Sequence, residues 1–511
     1  MINLQFKVSK MFKKSFLVFK QSLFWSSKHG IKPPILFVRN FSITSLLSKK
    51  SRIIDSDEEE EQDDLEIIHD AEYEAMTSDL LKRSTTFGSN CFVIQPYVKW
   101  GPSKSAESPE LKLAEAVALV NSIPEWNVVH KMTVPLETLE KHTLFGKGKM
   151  QELQELIKRF QKQHDKVSTI FISTGTLKYV QKKYLETMFK MPVLDRYSIV
   201  LQILRLHAVS KEAMLQVAMA ELPYVWSHVK DIDPNDFVGD LTDLHHRLNG
   251  RESKLNRALL KVRQHRHLLR KKRLQLNFPT VAVVGYTNAG KTCLIKALTG
   301  SDSLTPKDKL FATLDITAHA GVLPGNLKVI YMDTIGFISD IPTNLLECFQ
   351  ATLEDAMIAD VIVHVQDWSH PARNFQKVHV ENTLEKLLLH NPESEKLLSN
   401  MITVANKIDL CPEDKDSIDN QILPISAKRL IGLEELKDKI QKKLLEVTRR
   451  MRLNIRVPMG GQESSWLYKN VAVTDTYADP NDNQYLIMNV IITELQFTKF
   501  KNIFVKRSAK L

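Results

Sequence analysis

Gly285-Tyr286-Thr287-Asn288-Ala289-Gly290-Lys291-Thr292 sets two glycines, a lysine and a threonine at the spacing G-x-x-x-x-G-K-[ST]. Such a string can hold a polyphosphate. The glycines let backbone N–H groups curl round phosphate oxygens at a helix N-terminus, where the helix dipole also favours anions. Lys291 would reach the β and γ phosphates, and Thr292 would offer its hydroxyl to magnesium. Three further strings follow in order. Asp333-Thr334-Ile335-Gly336 stands 42 residues after Lys291; its carboxylate would face the metal through water, and its glycine N–H would meet a γ-phosphate. Asn406-Lys407-Ile408-Asp409 chooses the base, because the Asp409 carboxylate can accept from both the imino proton and the exocyclic amine of guanine, and adenine offers neither donor there. Lys407 would lay its stem over the purine, and Asn406 would tie its loop to the phosphate loop. Ser426-Ala427-Lys428 would turn backbone N–H toward the guanine carbonyl.

An effector loop is expected at Leu310-Phe311-Ala312-Thr313-Leu314-Asp315, where Thr313 completes the magnesium shell when GTP is bound; Thr317 is its rival. Thr292 and Thr313 are thus the expected metal ligands, and GTP or GDP with Mg2+ the expected cofactors. Gly336 and Phe337 stand in the γ-phosphate loop, but no catalytic side chain is assigned. Many small GTPases have a water-orienting glutamine at the position of Phe337. A phenyl ring cannot orient water, so hydrolysis by the isolated chain should be slow.

These strings need strand ends and helix starts to hold them. Apolar runs at Val281–Val284, Val329–Met332, Met401–Ala405 and Ile422–Ile425 read as strands that end at the four motifs, and Cys293–Leu298 as the helix after the first. Upstream, CFVIQPYV, WNVVHKMTV, STIFISTG and MPVLDR read as short strands, separated by helices at Leu111–Ser122 and Lys149–Gln163, a small α/β domain. From Leu241 to Arg273 the pattern turns to one long helix, with Leu244, Leu248, Leu255, Leu259 and Leu268 in helical rhythm. Between Arg247 and Arg273 it carries eleven Lys or Arg against one acid, Glu252, so an anionic partner such as RNA is expected. Pro279 stops it. RLNIRVPM, NVAVTDTY and QYLIMNVIIT near the end alternate with period two, a small strand-rich module whose chemistry is silent.

Charge is unevenly placed. The net +10 comes from residues 1–54, which hold eleven Lys or Arg and no acid, so the remainder stands at 10 − 11 = −1. A basic, acid-free start rich in Phe, Leu and Ser is the composition of a mitochondrial transit peptide, and Arg39-Asn40-Phe41-Ser42 looks like its cleavage site. Lysines interrupt every stretch that could serve as a secretory core, and Ala509-Lys510-Leu511 is a weaker, peroxisomal address. Asp55–Glu66, with nine acids in twelve residues, reads as a disordered tether. Cys91, Cys293, Cys348 and Cys411 lack paired spacing and read as reduced thiols. No apolar run reaches eighteen residues, so integral membrane association is not expected.

GYTNAGKT, LFATLD, DTIGF and NKID, together with FGKGKMQEL (Phe145–Leu153) and MPVLDR (Met191–Arg196), resemble the HflX family of ribosome-associated GTPases. ATLDITAHAG and SWLYK carry the likeness toward its mitochondrial branch, over residues 90 to 450. The resemblance implies a helical hairpin between the N-terminal and GTPase domains, and the mitochondrial ribosome and its large-subunit rRNA as partners; the chain is expected to be monomeric. It also implies GTP-dependent splitting or recycling of ribosomes, with the N-terminal domain reaching toward the peptidyl-transferase centre, and a part in large-subunit assembly. One departure stands out: where bacterial members carry a glycine-rich loop, Asp233–Asp240 reads DPNDFVGD.

The expected architecture is α/β: a P-loop GTPase domain with a mixed, mostly parallel sheet and helices on both faces, preceded by a small α/β domain and a basic helical hairpin and followed by a small strand-rich module. The expected segments are a transit peptide over 1–41, an acidic linker over 42–90, the N-terminal domain over 91–228, the hairpin over 229–276, the GTPase domain over 277–448 and a C-terminal α/β module over 449–511. Two readings compete: a scaffold that binds RNA and uses GTP without hydrolysing it, and a tRNA-modification GTPase, although the C-terminal cysteine motif of the latter is missing.

Overall fold

The computed structural model describes residues 68, 70, 71, 73–75, 77, 89–101, 107–162, 166–230, 241–276, 278–301, 304, 306, 310, 311, 317–340, 358–388, 394–411 and 418–505. The expected presequence, most of the acidic linker, the DPNDFVGD loop and Ala312, Thr313, Leu314 and Asp315 lie outside these residues.

The first sheet is built from β1 (Asn90–Val98), β2 (Asn127–Leu136), β3 (Thr169–Ile172) and β4 (Val193–Asp195), in the order β2-β1-β3-β4 and parallel throughout. Helices α1 (Pro109–Asn121), α2 (Lys147–Gln161), α3 (Tyr179–Phe189), α4 (Arg196–His207) and α5 (Lys211–Val229) alternate with and follow the strands. Parallel strands need crossovers that cover both faces, which is why β1 is buried along nearly its whole length. The MPVLDR string has a local reason. Asp195 caps α4 by accepting from the Ser198 N–H at 2.9 Å, and it holds the Leu177 N–H at 2.9 Å.

The second sheet holds β5 (Thr280–Gly285), β6 (Thr317–Leu323), β7 (Leu327–Asp333), β8 (Val361–Asp367), β9 (Ile402–Asn406) and β10 (Leu423–Pro424), in the order β10-β9-β8-β5-β7-β6. Only β6, at the edge, runs antiparallel to its neighbour. The central runs TVAVVG and VIVHVQD are buried on both faces. α7 (Lys291–Thr299) and α10 (Leu433–Val447) cover one face, and α8 (Arg373–Leu388) contributes Val380 and Leu384, and α9 (Ser394–Ser399) Leu397, to the other. This is a P-loop GTPase fold. The C-terminal strands β11 (Arg450–Pro458), β12 (Ala472–Asp479) and β13 (Asp482–Thr493) form an antiparallel sheet in the order β11-β13-β12, packed with α11 (Gln462–Asn470) and α12 (Glu494–Phe500).

α6 runs from Leu241 to Leu276 and pairs with α5. The first leg of the hairpin therefore begins at Lys211, whereas the sequence places the hairpin at 229–276. The reason is that α5 is apolar on more than one face: one side covers the first sheet and another takes α6, so by pattern alone it reads as domain core. Leu244, Leu248, Leu255 and Ala258 are buried and Leu259 is half-buried, but Leu268 is 60% exposed, so it is not part of the packed stripe. The basic face is also smaller than its count. The Arg251 guanidinium lies 4.0 Å from the Tyr73 ring centre, Arg266 pairs with Glu212 at 2.8 Å, and Arg247 with Asp243 at 2.9 Å.

Truncating Leu248 to Ala should cost about 2 to 5 kcal/mol, as for a buried leucine whose cavity does not collapse, while Leu268→Ala should stay within about 0.5 kcal/mol. Urea midpoints of the two variants measure the difference. Equal losses would place the end of the packed stripe elsewhere.

Candidate functional site

β5 ends at Gly285, and the chain then turns through Asn288 (φ 60°) and Gly290 (φ 94°) into α7. Gly290 has no alternative: its conformation is left-handed, and a Cβ there would lie 2.4 Å from the Asn406 amide nitrogen. The turn brings Lys291 under it. The Lys291 ammonium donates to the carbonyls of Gly285 (3.2 Å) and Tyr286 (2.9 Å), and the residue is only 7% exposed. Burial lowers its pKa to about 8, and the carboxylate of Asp333 pulls the other way.

Asp333 closes β7 and is fully buried. Its Oδ2 accepts from the Thr292 hydroxyl at 2.6 Å. A hydroxyl and a carboxylate so placed beside a phosphate loop are hard oxygen donors, the kind magnesium takes alongside phosphate and water. Among the described residues no group of three or more His, Cys, Asp or Glu could hold a metal ion. Magnesium, which keeps several waters and uses substrate phosphates, does not need one.

Beyond Asp333 the loop is stitched to the phosphate turn by backbone. Thr287 N–H donates to Phe337 O at 2.7 Å, and Phe337 N–H to Gly285 O at 3.2 Å. The Thr334 hydroxyl donates to Val283 O at 2.7 Å. A Cβ on Gly336 would stand 2.7 Å from Thr287 Cγ2 and 3.1 Å from Lys291 Nζ, so the glycine is what allows the two loops to touch. Ile335 and the Phe337 ring are buried in the core against β5 and the N-terminal domain. No side chain at 334, 335 or 337 is therefore placed to meet a water molecule in the cleft.

Asn406, at the end of β9, acts as a two-sided clamp. Its Nδ2 donates to Ala289 O at 2.9 Å, and its Oδ1 accepts from Ala427 N–H at 3.0 Å. Three of the four strings thus meet at one buried amide. Lys407 (φ 65°) reaches Asp367 at 2.7 Å, Ile408 is buried, and the Ser426 hydroxyl donates to Asp409 Oδ1 at 2.6 Å, which fixes that carboxylate. The Ala427 N–H expected to meet a base is engaged by Asn406, so the turn at Ala427 is held by the clamp itself.

Between these loops lies a cleft of about 530 Å³, bordered by Thr287, Asn288, Gly290, Lys291, Thr292, Phe311, Gly336, Asn406, Lys407, Asp409, Ala427 and Lys428. Gly285, Ala289, Asp333 and Ser426 stand behind this lining. The Tyr286 side chain turns away from it: its hydroxyl donates to Glu115 at 2.7 Å and lies 3.0 Å from Ser339 Oγ. Thr317 pairs with Asp333 across β6 and β7, its hydroxyl bonded to His319 at 2.7 Å.

Two family models match the chain, one described as 50S ribosome-binding GTPase over residues 280–407 and one as GTP-binding GTPase N-terminal over residues 110–204. The chain is 40% identical over 461 residues to "Putative GTP-binding protein 6" of Homo sapiens, covering 88% of this chain and 87% of that one. It is 36% identical over 336 residues to "GTPase HflX" of Caldanaerobacter subterraneus, covering 63% and 74%. The chain belongs to the HflX family of GTPases. It is also similar to the solved structure of a GTP-binding protein from Sulfolobus solfataricus in complex with GDP, at 23% identity and a TM-score of 0.38, covering 70% of this chain and 99% of that one.

Several residues of this GTPase site are absent from the sequence reading. Asp367, at the end of β8, holds Lys407 and also accepts from the Ser369 N–H and hydroxyl. Cys293, Lys296 and Pro306 border the cleft. The signal for Asp367 was available: VIVHVQD is an apolar run that ends in an acid, as β7 does. Cys293 and Lys296 follow the first motif on a helix, where spacing alone does not say which side faces a ligand.

An anionic ligand needs Lys291 charged, and its depressed value means that the charged form is lost as pH rises through about 8. GDP affinity should therefore fall about tenfold between pH 7 and pH 9, one unit above that value. Competition against a fluorescent guanine nucleotide reads this directly. A flat profile over the range would mean that Lys291 keeps its proton through another contact.

Asp409→Asn exchanges one acceptor oxygen for a donor and should weaken GTP by about 2 to 4 kcal/mol while improving xanthosine triphosphate. Ser426→Ala removes the hydroxyl that orients the carboxylate and that also accepts from the Arg429 N–H, and should cost about 1 kcal/mol. Titration calorimetry with both nucleotides separates the two, and unchanged GTP affinity in the Asp409 variant would remove this loop from the base pocket.

Proposed function

We propose that this GTPase acts on mitochondrial ribosomes, splitting or recycling them and assisting large-subunit assembly, with hydrolysis stimulated by the ribosome. In the nucleotide cleft, Gly285 to Thr292 cradle the phosphates, Lys291 pairs with their β and γ oxygens, and Asp409 selects guanine. Asn406 keeps the base loop and the phosphate loop in register, and the Gly336 N–H reports the γ-phosphate. Thr292 and Thr313, with Asp333 through water, would hold Mg2+, which neutralises phosphate charge as it develops. Phe337 supplies no polar group, so the missing contact to water comes from outside the chain.

The observation that carries the ribosome reading is the face of α6. Lys254, Arg257 and Arg263 are exposed on it and make no ion pair among the described residues, and the helix leads within a few residues into β5 of the nucleotide site. A cationic helix coupled to a GTP switch suits a partner built of phosphate. The family description and the basic, acid-free first 54 residues support the partner and the compartment. Among the described residues no helix is long and apolar enough to cross a membrane.

Sedimentation of purified mitochondrial ribosomes with the protein should give separated subunits with GTP and intact particles with GDP; intact particles in both would overturn the reading. Changing Lys254, Arg257 and Arg263 to Gln should leave GTP affinity intact and lower the log-log salt slope of ribosome binding by about 2 to 3, since each phosphate contact accounts for about 0.7 to 0.9. Arg266 is not part of this set, because Glu212 already holds it. An unchanged slope would show that these charges only face solvent.

A further inference from the structure

A second cleft, of about 430 Å³, opens at the opposite end of the large sheet from the nucleotide, where β5 and β7 begin and the C-terminal module packs against them. Asn326 fixes the junction, its Nδ2 donating to Val473 O at 2.9 Å. Four cations reach this cleft from four different elements: Lys328 on β7, Arg450 on β11, Lys469 on α11 and Lys499 on α12. Among the described residues that line it, none is Asp or Glu. Lys328, Lys469 and Lys499 are exposed and make no ion pair among the described residues. Arg450 is half-buried and feels the charge of Asp360. The three exposed lysines, with no acid lining the cleft, repel one another, and an anion laid across them relieves that repulsion.

The cleft also offers aromatic faces. Tyr468 is 60% exposed, and its hydroxyl is bonded to Thr476 Oγ1 at 2.9 Å. Trp466 also lines the cleft, backed by Phe500 with ring centres 5.6 Å apart. A solvent-facing ring among lysines is a poor seat for an inorganic anion, which has no use for a π-face, and for an acidic peptide, whose carboxylates need only the cations. It suits a strand that presents phosphates and flat bases together.

We propose that this cleft binds a single strand of nucleic acid, its phosphates tracking Lys328, Lys469 and Lys499 and one base lying on Tyr468. The site is separate from the nucleotide cleft and from α6, and it would hold such a strand whether or not the protein splits ribosomes.

The probe is a fluorescein-labelled uridine-rich RNA 12-mer, titrated with the full chain by anisotropy at several salt concentrations. Changing Lys328, Lys469 and Lys499 to Gln should lower the log-log salt slope by about 2, three contacts at about 0.7 each for a single strand. Tyr468→Ala, at constant charge, should weaken binding about tenfold through the lost stacking. GTP affinity should match the parent in both variants, which shows that the fold is intact. The inference is overturned if both variants bind the 12-mer as the parent does, or if Tyr468→Ala has no effect while the triple lysine variant loses inorganic polyphosphate as fully as RNA, since the cleft would then be only a charged surface. Failure of ribosome splitting with these RNA effects intact would sink the ribosome reading and leave this one standing.

Discussion

A lysine ammonium held almost without water is the constraint around which the nucleotide site is arranged. Desolvating a charge is costly unless oxygens replace the lost water. Here the carbonyls of Gly285 and Tyr286 do so, and they can only because the chain curls back over α7 through residues with positive φ. That curl turns the following N–H groups toward the place a phosphate would take. The Asp333 carboxylate, which accepts from Thr292, supports the Lys291 charge only through space. An anion in the cleft completes the arrangement, so affinity for phosphate follows from how the loop is folded as much as from the residue types in it.

The same turn is bound to the rest of the protein on its far side. Tyr286 reaches Glu115 on α1; Arg196, from the start of α4, pairs with Glu115 and donates from Nε to Ser339 O at 3.2 Å; Lys112 meets Asp340 at 2.6 Å. Arg196 is buried, and the Glu115 carboxylate and the Ser339 carbonyl replace the water its guanidinium gives up. The loop after Asp333 thus lies between two domains, touching the phosphate turn on one side and the N-terminal domain on the other. A displacement of that loop cannot leave the interface unchanged.

Charge on α6 teaches a related lesson. Counted along the sequence, the helix is a uniform basic rod. In three dimensions, Arg251 stacks on Tyr73 and Arg266 answers Glu212, which anchor the helix to the domain, while Lys254, Arg257 and Arg263 point outward. Burial sorts one run of cations into two jobs, structural pairing and exposed surface, and only the second set is available to a polyanion.

The sequence by itself determined the strands that end in the motifs and the α/β layout of parallel sheets and helices. These follow from local rules: apolar runs that end in Gly, Asp or Asn, and a spacing that only a strand, turn and helix can satisfy. It did not disclose the edge strand β6, which is mostly exposed, buries Gly321 and Leu323, and pairs only through β7. It also misplaced the start of the hairpin, because α5 buries more than one face and reads as core. Tertiary structure alone decided which side chains share the site. Asp367 steadies Lys407, Ser426 aims Asp409, Tyr286 leaves the cleft for Glu115, and a second cleft gathers lysines from elements far apart in the chain. Such pairings depend on how sheets and helices stack, and a pattern of periods two and 3.6 carries no information about which distant residue will stand opposite.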